Sequence, residues 1–221
     1  MNEASIGVII LAAGASSRLG QPKQLLIFEG ETLLSRAVRV ALETRCRPVI
    51  VVLGAHAETL QAKLAATRAH VVCNQAWKEG MSSSIRCGLQ ALEASGRQAI
   101  EAAILMLCDQ PFITSDVIER LAESYLEHRS LLVASEYETD GVKTKGVPAL
   151  FSRPLFAELM KISGAAGAKR VIAQHEKEAT IIAVPEAAFD VDTADDYLAL
   201  NDGSGAVAKW RAQTAHPTRL D

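Results

Sequence analysis

Val8-Ile9-Ile10-Leu11-Ala12-Ala13-Gly14-Ala15-Ser16-Ser17-Arg18-Leu19-Gly20-Gln21-Pro22-Lys23 lies near the amino end of the sequence. Its first half is an almost unbroken apolar run, as expected of a strand buried on both faces in a parallel sheet. Its second half turns abruptly to small residues followed by two cations, Arg18 and Lys23. Small residues let a ligand approach the backbone, and N–H groups without partners can point at phosphate oxygens that Arg18 and Lys23 would neutralise. The spacing is not that of a P-loop, because Gln21-Pro22 separates Gly20 from Lys23, and it is not GxGxxG. Read alone, the same residues also suit a plain strand and loop carrying two solvated cations.

Outward from this stretch, apolar runs alternate with amphipathic segments. Strands are expected at Val49–Leu53, Val71–Cys73, Ala103–Leu107, Leu131–Ala134, Val147–Phe151 and Thr180–Val184. Between them, helical spacing of apolar residues marks Thr32–Leu42, Glu58–Leu64, Ser82–Leu92 (its serines available as N-caps) and Thr114–Leu126. Further helices are expected near Pro154–Met160, Ala166–Gln174 and Thr193–Leu200, and a turn at Asp140-Gly141 within the polar stretch Glu138–Gly146. This rhythm predicts an α/β fold of three layers, α/β/α, with a mainly parallel, Rossmann-like sheet. Residues 1–200 are expected to form one domain, and the polar residues 201–221 a mobile tail.

Composition narrows the class. The chain has 221 residues, 49% of them hydrophobic and 22% charged, enough for a substantial core without staples. A net charge of -3 argues against a general nucleic-acid binder. No apolar run approaches the ~20 residues of a membrane span, and no basic n-region marks a signal peptide. A soluble, cytoplasmic protein is expected. Cys46, Cys73, Cys87 and Cys108 form no CxxC pair, so reduced core thiols are expected rather than a zinc site.

Four segments together resemble one family. LAAGASSRLGQPKQLL, from Leu11 to Leu26, matches the LAAGxSxRxGxxKxLL signature of nucleotidyltransferases with a glycosyltransferase-A-like fold. Asn74 to Ile85 resembles the NxxWxxGMSSSL segment of the molybdenum-cofactor cytidylyltransferase branch; Cys108-Asp109-Gln110-Pro111 resembles its CDQP, and Phe189 to Tyr197 its DIDTPEDY. The resemblance runs through residues 6–200.

It implies transfer of CMP from CTP to the phosphate of a phosphorylated pterin, molybdopterin, with Mg²⁺ and release of pyrophosphate. By the same resemblance Lys23, Arg18 and Asp109 are catalytic. Ala12, Ala13, Gly14, Gly80 and Ser84 join them in binding the nucleotide, and Asp109 and Asp192 hold the metal, with Asp190 as the substitute for Asp192. A carboxylate after a central strand suits Mg²⁺, which takes oxygen ligands, whereas Asp192-Thr193 could equally cap the following helix. Leu11-Ala12-Ala13-Gly14, rather than the LAGG of guanylyltransferases, implies CTP over GTP. A molybdoenzyme or its maturation factor is an expected partner.

Two stretches depart from the branch: Val147 stands where relatives carry the histidine of GHPxLF, and Ala165 and Lys169 replace the acidic residue and arginine of GDxGAR. These departures bear on the acceptor. The cytidylyltransferase of isoprenoid precursor synthesis shares Pro22-Lys23-Gln24 but not the HDxARP segment, and a non-catalytic carrier or insertion chaperone of the pterin cofactor is the reading from another class.

Overall fold

The computed structural model describes residues 5–95, 100–139, 141–165, 167–203 and 207–208. Strand β1 (Ile6–Ala12) lies near the middle of a seven-stranded sheet. Two short strands, β2 (Ile27–Phe28) and β3 (Glu31–Thr32), form a separate ribbon after the first turn. The remaining strands are β4 (Val49–Leu53), β5 (His70–Cys73), β6 (Ala102–Leu107), β7 (Leu132–Thr139), β8 (Val142–Ser152) and β9 (Thr180–Ala183). Their order is β5-β4-β1-β6-β8-β7-β9, parallel except for β8, which runs antiparallel to both neighbours. The helices are α1 (Leu33–Glu43), α2 (Ala57–Leu64), α3 (Met81–Ala94), α4 (Ser115–His128), α5 (Phe156–Leu159), α6 (Lys169–Gln174) and α7 (Ala194–Asp202).

The unbroken apolar runs are explained by layers on both faces. Val8, Ile10 and Ala12 point into one core with residues of α1, α2 and α4. Ile9 and Leu11, one residue out of phase, point into a second with α3, α5 and α6. Each such aliphatic side chain, fully buried, contributes about 1.5–3 kcal/mol.

A third core does the positioning. Phe28, Phe112, Phe189, Val191 and Leu200 cluster beside the carboxyl ends of the strands. Phe112 meets Phe28 edge to face at 5.8 Å and Phe189 at 5.6 Å. These contacts lock the turn after β6 to the segment that enters α7, although the two are distant in sequence.

Three expectations change. The polar stretch Glu138–Gly146, where a turn is expected at Asp140-Gly141, is the outer part of a β7–β8 hairpin that extends the strands expected at Leu131–Ala134 and Val147–Phe151. These outer strand ends escape pattern reading because most of their residues are polar; the ladder and opposite-charge pairs such as Lys143 with Glu136, at 3.0 Å, support them. The helix expected over Pro154–Met160 divides into a 3-10 turn, Arg153–Leu155, and the single turn of α5. Asn201 and Asp202 complete α7, and Val207 is buried in the third core, so the chain is packed past residue 200. The rest of the expected tail, Asp140 of the expected turn and Ala166 lie outside the described residues. Among the described residues, no helix is long and apolar enough to cross a membrane.

Candidate functional site

The sheet order places β1 and β6 side by side, with the chain going to β4 and β5 on one side and to β8 on the other. Ligands bind in open α/β sheets at such a switch point, beyond the carboxyl ends of the strands. A cleft of about 310 Å³ opens there, walled by Ala12–Ala15 after β1, Leu107–Asp109 after β6, and Trp77, Gly80 and Ser84 around the start of α3. Lys23 and Gln24 close its inner side. A larger cavity, about 560 Å³, opens at the amino ends of the strands beside Arg47, Arg68 and His70, and contains none of the expected residues.

The structure brings the expected ionic residues together at the mouth of the cleft. Lys23 Nζ donates to Asp109 Oδ2 and, at 2.9 Å, to Asp192 Oδ1. Arg18 Nη2 donates to Asp192 Oδ2 at 2.8 Å. Burial would lower the Lys23 pKa, but the charge and hydrogen bonds of Asp109, with help from Asp192, raise it above the usual lysine value. Burial would raise Asp192, and the two cations outweigh it and hold the carboxyl below its usual range. Lys23 and Asp192 are therefore both charged at neutral pH.

The rival role for Asp192 is filled by its neighbour. Thr193 Oγ1 caps α7 by accepting the Asp196 N–H at 3.2 Å, and Asp196 Oδ2 accepts from Thr193 N at 2.7 Å, a capping box. This leaves the Asp192 carboxylate to the cleft. Asp109 Oδ1 is buried and has no hydrogen-bond partner among the described residues. An unpartnered carboxylate oxygen at this depth is costly unless a ligand or cation meets it. Asp190, two residues before Asp192, is not among the residues that wall the cleft; desolvation of its carboxyl, with the charge of Asp109 next, raises it above the usual range. Neither ion pair of Lys23 nor that of Arg18 goes to Asp190.

The serine segment is built differently from the expected cap. Gly80 is the N-cap of α3, and no side chain caps it. Its φ of +100° suits glycine, and a Cβ there would lie 2.9 Å from the Gly164 carbonyl oxygen. Ser83 Oγ instead donates to the carbonyl oxygens of Gly80 at 2.8 Å and Ala76 at 2.9 Å. Asn74 Nδ2 donates to Ser83 Oγ at 2.8 Å and Ser84 Oγ at 3.1 Å. Asn74, Trp77 and Gln24 were not among the expected site residues. All three stand in segments already singled out, Gln24 in the shared Pro22-Lys23-Gln24, but none was given a role there.

The thiols divide. Cys46 and Cys108 are buried, Cys87 is half-buried, and Cys73 is exposed, contrary to the expectation of a core thiol at that position. Burial, with the charge of Asp109 next in size, pushes Cys108 up to about 12, so it stays protonated beside the cleft.

The family described as the MobA-like NTP transferase domain matches residues 8–179. The chain is 31% identical to the nicotine blue oxidoreductase of Paenarthrobacter nicotinovorans, over 87% of this chain and 94% of that one. It is 25% identical to the molybdenum cofactor cytidylyltransferase of Escherichia coli K12, over 88% and 94%. Rv0371c from Mycobacterium tuberculosis H37Rv superposes with a TM-score of 0.78 at 30% identity, covering 91% of this chain and 100% of that one. Another structure of Rv0371c is a complex with manganese. With its sheet, its cleft and the matched residues 8–179, the chain belongs to the MobA-like NTP transferase family of nucleotidyltransferases.

Proposed function

We propose that this protein transfers CMP from CTP to the phosphate of a molybdopterin-type acceptor and releases pyrophosphate. The observation that carries this reading is the convergence of Asp109 and Asp192, from two distant segments, on one ammonium at the mouth of the cleft. The donor set fits Mg²⁺ or Mn²⁺: both residues offer oxygen, one oxygen of Asp109 is buried without a partner, and triphosphate oxygens would complete the shell. The manganese complex of Rv0371c supports a divalent ion in this fold. When bound, the ion would neutralise the phosphate charge.

The chain's own residues supply the rest. The turn Ala12–Gly14 receives the nucleotide, and Gly80 and Ser84 flank the opposite wall. Lys23 and Arg18 move from the carboxylates to the triphosphate, where they stabilise charge on the departing pyrophosphate. An acceptor phosphate oxygen forms a bond to the α-phosphorus, and the bond to the bridging oxygen breaks, its electron pair leaving with pyrophosphate. Rate comes from holding these groups in line rather than from covalent chemistry. CTP is favoured by Ala12-Ala13-Gly14 through resemblance to cytidylyltransferases.

A second reading has its own observation: a relative that covers 87% of this chain at 31% identity is an oxidoreductase. The same cleft would then hold a nucleotide cofactor beside an aromatic heterocycle. One experiment separates the readings. Purified protein is given each nucleoside triphosphate with Mg²⁺ and molybdopterin, methylerythritol phosphate or a sugar phosphate, and pyrophosphate is measured. Release with CTP and molybdopterin alone is expected. Pterin binding without release would leave a carrier, and absorbance changes with a reduced nicotinamide nucleotide would favour the redox enzyme.

A further inference from the structure

The turn after β1 can accept an anion only if its carbonyl oxygens face away from it. In this structure three consecutive carbonyls are engaged by protein. Gln24 Nε2 donates to the oxygens of Ala12 at 3.0 Å and Gly14 at 2.9 Å. The oxygen between them, on Ala13, accepts the Ala55 N–H at 3.0 Å. The N–H groups of Gly14 and Ala15 have no acceptor among the described residues, and both residues line the cleft. A second bond closes the other end of the loop: Ser16, at φ +55°, accepts the Lys23 N–H on its Oγ at 3.0 Å. Gln24 has no exposed surface, and its Oε1 is buried with no hydrogen-bond partner among the described residues, so the carboxamide is held by its two donor bonds.

We propose that Gln24 and Ser16 are positioning residues that turn this loop into a phosphate receptor. Gln24 draws the Ala12 and Gly14 carbonyls beneath the turn, and the amides of Gly14 and Ala15 are left toward the cleft as an anion-binding concavity. Ser16 fixes where the chain re-enters, and so the point from which Lys23 reaches the same anion. Without the clasp, a peptide unit can rotate a carbonyl into the cleft, replacing attraction for phosphate with repulsion. The inference rests on the nucleotide site proposed above but not on the identity of the base or acceptor.

Calorimetric titration with inorganic tripolyphosphate and with CTP, each with Mg²⁺, tests it. Gln24→Leu keeps the bulk of the side chain and removes both donors. Its affinity for tripolyphosphate and CTP is expected to fall at least tenfold. In turnover, KM for CTP should rise while KM for the acceptor stays within twofold. A side chain that merely fills the core would lower the unfolding temperature without moving these affinities. A folded Gln24→Leu protein that binds tripolyphosphate within twofold of the wild type overturns the proposal. If Gln24→Leu does not fold, Ser16→Ala decides: at least threefold weaker tripolyphosphate binding supports the clasp, and unchanged binding overturns it. The wild-type control tells the two claims apart. Wild type that binds tripolyphosphate but transfers no nucleotide refutes the proposed reaction and leaves the clasp standing.

Discussion

The Val191 N–H donates to the Asp109 carbonyl at 3.0 Å, so the turn after β6 and the approach to α7 are joined backbone to backbone. This bond, beside the Phe112–Phe189 contact, holds the carboxylates of Asp109 and Asp192 on the same ammonium. The pair is a property of two segments clamped together, not of either one.

Asp109→Asn should therefore disable turnover without unfolding the protein. The change keeps shape and removes one charge. Pyrophosphate release is expected to fall by about 10²–10³-fold, the usual effect of losing one electrostatic contact in the transition state. Circular dichroism should be unchanged. Full activity in a folded Asp109→Asn protein would remove Asp109 from the mechanism.

Lys23 occupies the space between the carboxylates that a cation would share. Titrated with Mn²⁺ in the absence of nucleotide and followed by electron paramagnetic resonance, Lys23→Ala should bind the ion more tightly than wild type. A change of about tenfold is expected, since a contact charge near a protein surface is worth more than ~1 kcal/mol. Asp192→Asn should bind it more weakly. The Lys23→Ala protein should nonetheless lose turnover, because its phosphates lack the ammonium. Equal Mn²⁺ affinity in Lys23→Ala and wild type would show that the ammonium and the metal do not compete.

Arg18 has 68% of its side chain exposed, and its pair with Asp192 is correspondingly weak. Arg18→Ala should raise KM for CTP about threefold to tenfold, with a difference that shrinks as salt screens the charge. Steady-state kinetics at 50 and 300 mM salt, roughly either side of a 10 Å Debye length, check both points.

His175 gives a pH dependence away from the cleft. Its Nε2 meets Glu158 Oε2 at 2.8 Å, and this hydrogen bond, foremost among several causes, raises its pKa above the usual histidine value. A histidine raised in the folded state adds stability that is fully present below the unfolded pKa, near 6.5, and disappears as pH climbs through the folded value. The increment should be below about 1 kcal/mol, in the range of exposed pairs. Unfolding temperatures compared between pH 6 and 8.5 should show a decline that His175→Gln lacks. Identical pH profiles for the two proteins would count against the pair.

Gly80→Ala tests the wall of the cleft. A positive φ imposed on alanine costs about 1–3 kcal/mol, and the added Cβ presses on the Gly164 carbonyl. The unfolding temperature should drop, and KM for both substrates should rise together, because the Gly164 segment and the start of α3 share this contact. A rise for CTP alone would mean that the two walls move independently.

The sequence by itself determined the layers and pointed to the ionic residues that the fold gathers at the cleft. Val8–Ala13 and Val49–Leu53 read as strands because doubly covered strands are apolar at every position, and α1 and α4 because their apolar residues recur at helical spacing. Arg18, Lys23 and Asp109 stood out as cations after a glycine turn and an acid after a strand, but those local patterns suit a plain loop as well, and only the family resemblance assigned them roles. The outer part of the β7–β8 hairpin was legible only as a turn at Asp140-Gly141: its residues are mostly polar, and the ladder between its strands specifies the rest. Tertiary structure alone decided that Asp192 does not cap α7. On sequence it was a metal ligand or a helix cap, and the capping box of Thr193 and Asp196 released it to Lys23. It alone decided Gln24 as well. Resemblance placed it in a shared Pro-Lys-Gln run without a role, and its two bonds to Ala12 and Gly14 exist only once the chain has folded back over its own first turn.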